Sequence, residues 1–127
     1  MDRQFISTNL PYEKIASFSR AVVQGDWVFA FGCTGYDPDI DSISEDPAAQ
    51  NHQSFKLIKW LLDKAGFRLT DVVRIVVYLA DRNDFNSIAP VIGENFRDIN
   101  PANTTVEARL VDPRMKVEIE VTTYRGT

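Results

Sequence analysis

Cysteine and histidine are nearly missing from this chain, with Cys33 and His52 the only examples in 127 residues. A lone cysteine cannot form an internal disulfide, and a lone histidine offers no His-rich metal site. Apolar residues never run on for the roughly 18 positions that a membrane span requires. The opening Met-Asp-Arg-Gln-Phe carries no apolar core of a secretory signal. The expectation is a soluble, cytoplasmic protein with no membrane partner. Basic charge is scarce as well: 14 Lys and Arg against 18 Asp and Glu leave a net charge of −4. Nucleic acid is therefore not an expected partner, because its binding draws on clustered positive charge. No GxxxxGK[ST], GxGxxG, GxSxG or CxxC pattern occurs. Nothing in the chain asks for a nucleotide, flavin, haem or metal, and no cofactor is expected.

What is present is ordinary globular composition, 44% hydrophobic and 25% charged. A chain of this size buries roughly two-thirds of its unfolded surface as one domain, here taken as residues 1–127. The residues from Gly35 to Asp46, rich in Asp37, Asp39, Asp41, Glu45 and Asp46, read as an exposed loop.

Strands are expected over Phe18–Gln24 and Trp27–Thr34, with Gly25-Asp26 as a tight hairpin turn. Asp46-Pro47 opens a helix in which Phe55, Ile58, Leu61, Leu62 and Ala65 recur at helical spacing, with Gly66 as the stop. Val72–Ala80 is rich in β-branched residues and reads as a strand. A second helix lies within Phe85–Ile99, with Pro90 expected in its first turn. Two last strands, Asn103–Val111 and Lys116–Arg125, flank an Asp112-Pro113 turn, and a short extra strand is expected near Phe5. Trp27–Phe31 and Ile75–Leu79 are apolar at nearly every position, so both faces of the sheet want cover. Two helices cover one face. Self-association is the expected cover for the other, with a large ligand cavity as the competing explanation.

Alternation places Asn103, Thr105, Glu107 and Arg109 on one strand face and Glu118 and Glu120 on a face of the next strand. Paired as a hairpin, these rows make either a small-molecule site in which a carboxylate positions water, or an ordinary solvated face with cross-strand ion pairs. Cys33, beside Gly32 and Gly35, reads as a small buried side chain more readily than as a nucleophile, and His52 as a surface helix residue.

Several segments, in order, resemble one family over nearly the whole chain. They are Ser17-Phe18-Ser19-Arg20-Ala21-Val22, Gly25-Asp26-Trp27-Val28-Phe29, Ala65-Gly66-Phe67 and Thr70-Asp71-Val72-Val73. The series continues through Val77-Tyr78-Leu79-Ala80-Asp81, Asp84-Phe85, Pro101-Ala102 and Lys116-Val117-Glu118-Ile119-Glu120-Val121. The set is similar to the Rid, or YjgF, family. The resemblance implies a chorismate-mutase-like α+β fold, a mixed sheet with two helices on one face. It also implies a homotrimer whose sheets form a central barrel, with a small-molecule cleft at each subunit interface. The implied activity is cofactor-free hydrolysis of reactive enamines and imines, such as 2-aminoacrylate or 2-iminopropionate, to a 2-oxo acid and ammonia.

Carried over residue by residue, the family's glutamate matches Glu118 and its second-strand glycine matches Gly32, with Cys33 beside it. The usual pocket tyrosine is Phe18, and the small hydroxyl residue before the glycine is Phe31. The family's substrate-carboxylate arginine, which follows the Pro-Ala pair, is Asn103. An amide brings no charge to such a contact. Arg109, six residues on, lies about 20 Å away at the strand rise and cannot replace it by a rotamer change. Two functions follow. One is a hydrolase in which Glu118 positions water while Asn103, Thr105 and the backbone near Gly32 bind a substrate that Phe18 and Phe31 make less polar. The other is a non-catalytic trimer that binds a small metabolite.

Overall fold

The computed structural model describes residues 2–126; Met1 and Thr127 lie outside it. The helix opened by Asp46 forms because its carboxylate accepts from the Ala49 N–H at 3.0 Å and Pro47 fills the first position. It ends where Gly66 turns left-handed at φ 79°. This helix, α2 (Pro47–Ala65), buries Phe55, Ile58, Leu61 and Leu62 against the sheet.

The sheet's strands are β1 (Arg3–Ile6), β2 (Ala21–Gln24), β3 (Trp27–Ala30), β4 (Cys33–Thr34), β7 (Val72–Leu79), β8 (Ala102–Glu107) and β9 (Val117–Tyr124). A two-stranded ribbon, β5 (Tyr36–Asp37) with β6 (Ser42–Ile43), organises the acidic loop. Helices α1 (Pro11–Ile15) and α3 (Phe85–Asn95) complete a mixed α+β fold. The order across the main sheet is β1-β2-β3-β9-β7-β8, with β4 continuing β3's side of β9. The Gly25-Asp26 hairpin and the strand at Phe5 form as the sequence indicates.

Five expectations need correction. The last two strands are not a hairpin: β8 pairs parallel with β7, and β9 pairs antiparallel with β7 on its other side. The segment β7-α3-β8 is a strand–helix–strand crossover, which returns the chain parallel. Strand β8 also stops at Glu107, so Arg109 is on no strand. The strand expected from Phe18 starts at Ala21, because Ser17 is left-handed at φ 55° and the Phe18 N–H turns back to the Glu13 carbonyl at 3.0 Å. The strand expected over Trp27–Thr34 breaks at Phe31-Gly32. Pro90 lies inside α3 rather than in its first turn. Its ring is exposed, so water can reach the carbonyl that loses its helical partner.

Helix-side positions alternate with open-side positions along every long strand. Val117, Ile119, Val121 and Thr123 face the helices, as do Ile75, Val77 and Leu79. Gln50, fully buried on α2, ties this layer to the chain before β9: its Nε2 donates to the carbonyls of Ser44 (2.6 Å) and Arg114 (2.9 Å), and its Oε1 accepts from the Lys116 N–H (2.8 Å). Among the described residues, α2 and α3 leave the opposite sheet face uncovered. That face presents Phe5, Trp27, Phe29 and Tyr124, between 40% and 62% exposed.

Candidate functional site

The break between β3 and β4 builds the most chemically distinctive part of the open side. Cys33 sits opposite Ile119 and Thr34 opposite Glu118, so the preceding Gly32 passes directly over the Glu118 side chain. A Cβ on Gly32 would lie 2.6 Å from Glu118 Cδ and 2.9 Å from its Cγ. Glycine is required here by close approach. The half-buried Glu118 has its pKa pushed up, first by burial and then by the charge of Glu120. Next along, the Glu120 carboxylate accepts from the Tyr78 hydroxyl at 2.5 Å.

Phe31, immediately before Gly32, stacks on Phe18 with ring centroids 6.3 Å apart and planes 22° from parallel. These rings are the wall that sequence reasoning assigned to the site. Behind them lies a residue it gave no role. The Arg20 guanidinium carbon sits 4.4 Å from the Phe31 ring centre and 5.6 Å from that of Phe18. Arg20 Nε is 3.2 Å from Oε2 of Glu13 on α1. Burial pushes the Glu13 pKa up, but hydrogen bonds from Ser7, Thr8, Leu10 and Arg20 outweigh it and hold the value at about 2. The only sequence signal for this arrangement is the pairing of types, an arginine among aromatics with a glutamate seven residues earlier.

The other expected residues lie elsewhere. The Cys33 thiol is fully buried, donates to the Phe31 carbonyl at 3.4 Å, and has its pKa raised by burial. It can offer a ligand only its backbone. Asn103 and Thr105 face Ile75 and Val77, on the helix side of the sheet, and the Thr105 hydroxyl donates to Asn103 Oδ1 at 2.7 Å. Glu118 faces Tyr78 on the open side, so β7 and a change of face separate it from both within one chain. Glu107 is held by Arg82, whose N–H and guanidinium donate to it at 2.7, 2.9 and 3.1 Å. Shallow hollows of about 480 and 190 Å³ flank β8, the first lined by Thr105 and Glu107 and the second by Asn100 and Asn103. Neither touches Glu118.

Among the described residues there is no group of three or more His, Cys, Asp or Glu that could hold a metal ion. Nor, among them, is any helix long and apolar enough to cross a membrane. A half-buried carboxyl of raised pKa, beside bare backbone and an aromatic wall, can take and return a proton for a small substrate.

The sequence profile of the family described as endoribonuclease L-PSP matches residues 8–125. A RutC family protein of Pyrococcus horikoshii is 32% identical over 97% of this chain and 98% of its own. The human 2-iminobutanoate/2-iminopropanoate deaminase is 30% identical over 98% of this chain and 91% of its own. The crystal structure of a Mycobacterium tuberculosis member of the YjgF/YER057c/UK114 family superposes with a TM-score of 0.86 at 33% identity, covering 98% of this chain and 100% of that one.

Proposed function

The chain belongs to the endoribonuclease L-PSP family, which includes the YjgF and Rid proteins, and from that premise we propose that it hydrolyses reactive imines or enamines of small metabolites. At the family level an imine-deaminase-like function is supported by relatives named 2-iminobutanoate/2-iminopropanoate deaminase. The observation that carries the reading for this chain is the Glu118 carboxyl held against Gly32 beside the Phe18–Phe31 wall.

In the proposed reaction an enamine first tautomerises to its imine. Water then adds to the C=N carbon while Glu118 accepts its proton. Glu118 hands that proton to the imine nitrogen to give a carbinolamine, which collapses to a carbonyl as its hydroxyl proton moves through Glu118 to the departing nitrogen, releasing ammonia. A carboxyl with a raised pKa suits both transfers near neutrality. Phe18 and Phe31 favour a bulkier, less polar side chain than a short amino-acid imine carries. The net charge of −4 does not favour RNA as a substrate.

The working unit in this proposal is a homotrimer. The exposed aromatic row on the uncovered sheet face supports self-association, because exposed apolar surface of this kind marks an interaction site. Since Asn103 and Thr105 lie on the other face, they meet Glu118 chemistry only in a cleft between subunits.

The test is ammonia release from imines generated in situ by an amino-acid oxidase, across a panel from small to bulky. Turnover biased to bulky apolar imines is expected, and Glu118→Gln should lower it by roughly 10²-fold or more. Full turnover by that variant sinks the role of Glu118. A silent wild type with an active Asn103→Arg variant points instead to the non-catalytic metabolite-binding trimer.

A further inference from the structure

Arg20 is fixed before its side chain begins. Its N–H donates to the Ile6 carbonyl at 2.9 Å, and its carbonyl accepts from the Phe31 N–H at 2.8 Å. The side chain, only 14% exposed, then lies across both phenylalanine rings with Nε toward Glu13. Glu13 does not need it for saturation. Its two oxygens already accept from Ser7 Oγ (2.7 Å), Thr8 N (3.2 Å), Thr8 Oγ1 (2.8 Å) and Leu10 N (2.9 Å). Arg20 Nε is paired with Glu13 at 3.2 Å, and among the described residues neither Nη has a hydrogen-bond or ion-pair partner. A guanidinium presents five N–H donors; Glu13 meets the one on Nε, which leaves the four on the two Nη atoms to water or to a second anion. Phe31 leads straight into Gly32 and so to Glu118. A cation, an apolar wall and a proton-carrying carboxyl thus follow one another along a single stretch.

We infer that Arg20 is the specificity-determining group of this site, binding the carboxylate of a ligand whose apolar or aromatic tail packs on Phe18 and Phe31. This rests on the reaction site proposed above and names its substrate class: 2-imino acids with bulky apolar side chains. A planar guanidinium braced by aromatic faces matches a carboxylate through two parallel hydrogen bonds.

The test is equilibrium binding of 3-phenylpropanoate and its uncharged isostere 3-phenylpropanamide, followed by calorimetry. Wild type should hold the acid about tenfold or more tightly than the amide, as a charge-assisted bidentate contact requires. Arg20→Gln should bring the two within about twofold. Arg20→Gln/Glu13→Gln should do the same, and it avoids leaving Glu13 as a lone buried charge. A wild type that binds both equally, or binds neither, overturns the inference, as does an Arg20 variant that keeps the preference. Imine turnover on the same samples separates the two readings. Turnover whose KM ignores Arg20 removes the subsite and leaves the hydrolase. Arg20-dependent acid binding without any turnover leaves the subsite and removes the hydrolase.

Discussion

Gly32 and Glu118 touch: a methyl group on the glycine would come within 2.6 Å of the carboxyl carbon of the glutamate. One residue holds the other's position by having no side chain. Gly32→Ala should therefore push the Glu118 carboxyl out of place, costing about 1–3 kcal/mol of stability by overpacking and most of the turnover. Thermal melts and imine hydrolysis on one preparation check this. Combining Gly32→Ala with Glu118→Ala should recover much of the stability and none of the activity. An active single variant with wild-type stability contradicts the contact.

Acid should unfold the protein partly through Glu13. Its folded pKa of about 2 lies below the ordinary 4.5, so its contribution is complete above pH 4.5 and disappears as pH falls toward 2. Asp112, also held at about 2 by Arg114, titrates in the same window but is exposed enough for salt to screen it. Glu118 works the other way. Its raised pKa favours the protonated folded state, so its contribution is present below pH 4.5 and is lost as pH rises through the folded value. Denaturant titrations at stepped pH should show Glu13→Gln losing the slope between pH 4.5 and 2. Glu118→Gln should instead gain stability relative to wild type above pH 4.5.

Placing a charge in the exposed aromatic row should break self-association without unfolding the chain. Phe29 is 49% exposed in the single chain, between Val22 and Thr122. Phe29→Glu should then run at the 14.4 kDa chain mass in light scattering, against three times that for wild type. An unchanged mass would show that this face is not the interface.

Thr123 offers a change in the stabilising direction. It is fully buried between Val28 and Val72, and its hydroxyl has no hydrogen-bond partner among the described residues. Thr123→Val keeps the shape and removes the orphan group, so stability should rise by about 1 kcal/mol. A lower melting temperature would mean that the hydroxyl has a partner.

The sequence was most readable where local chemistry decides the outcome. Asp46, Pro47 and Gly66 mark both ends of α2, and Gly25-Asp26 needs no distant partner to make a hairpin. Alternation correctly divided Asn103 and Thr105 from Thr104 and Val106. It could not say which strand lies alongside, because period two specifies a face and not a neighbour. The missed signal was the strand–helix–strand run from Val72 to Glu107, whose crossover makes β8 parallel to β7. Arg20 was invisible for a different reason. Its burial depends on Glu13 from α1, a helix of five residues with too little periodicity to announce itself.

Asn103 and Glu118 stand on opposite faces with β7 between them, and this geometry sets a rule of concentration. Any one molecule handled by both residues must be handled by two copies of the chain. In the proposed reaction the catalytic unit would then be created by mass action rather than by folding alone. Activity per chain would fall on dilution even with every chain folded. Mixing two inactive variants, one altered at each position, would restore part of it.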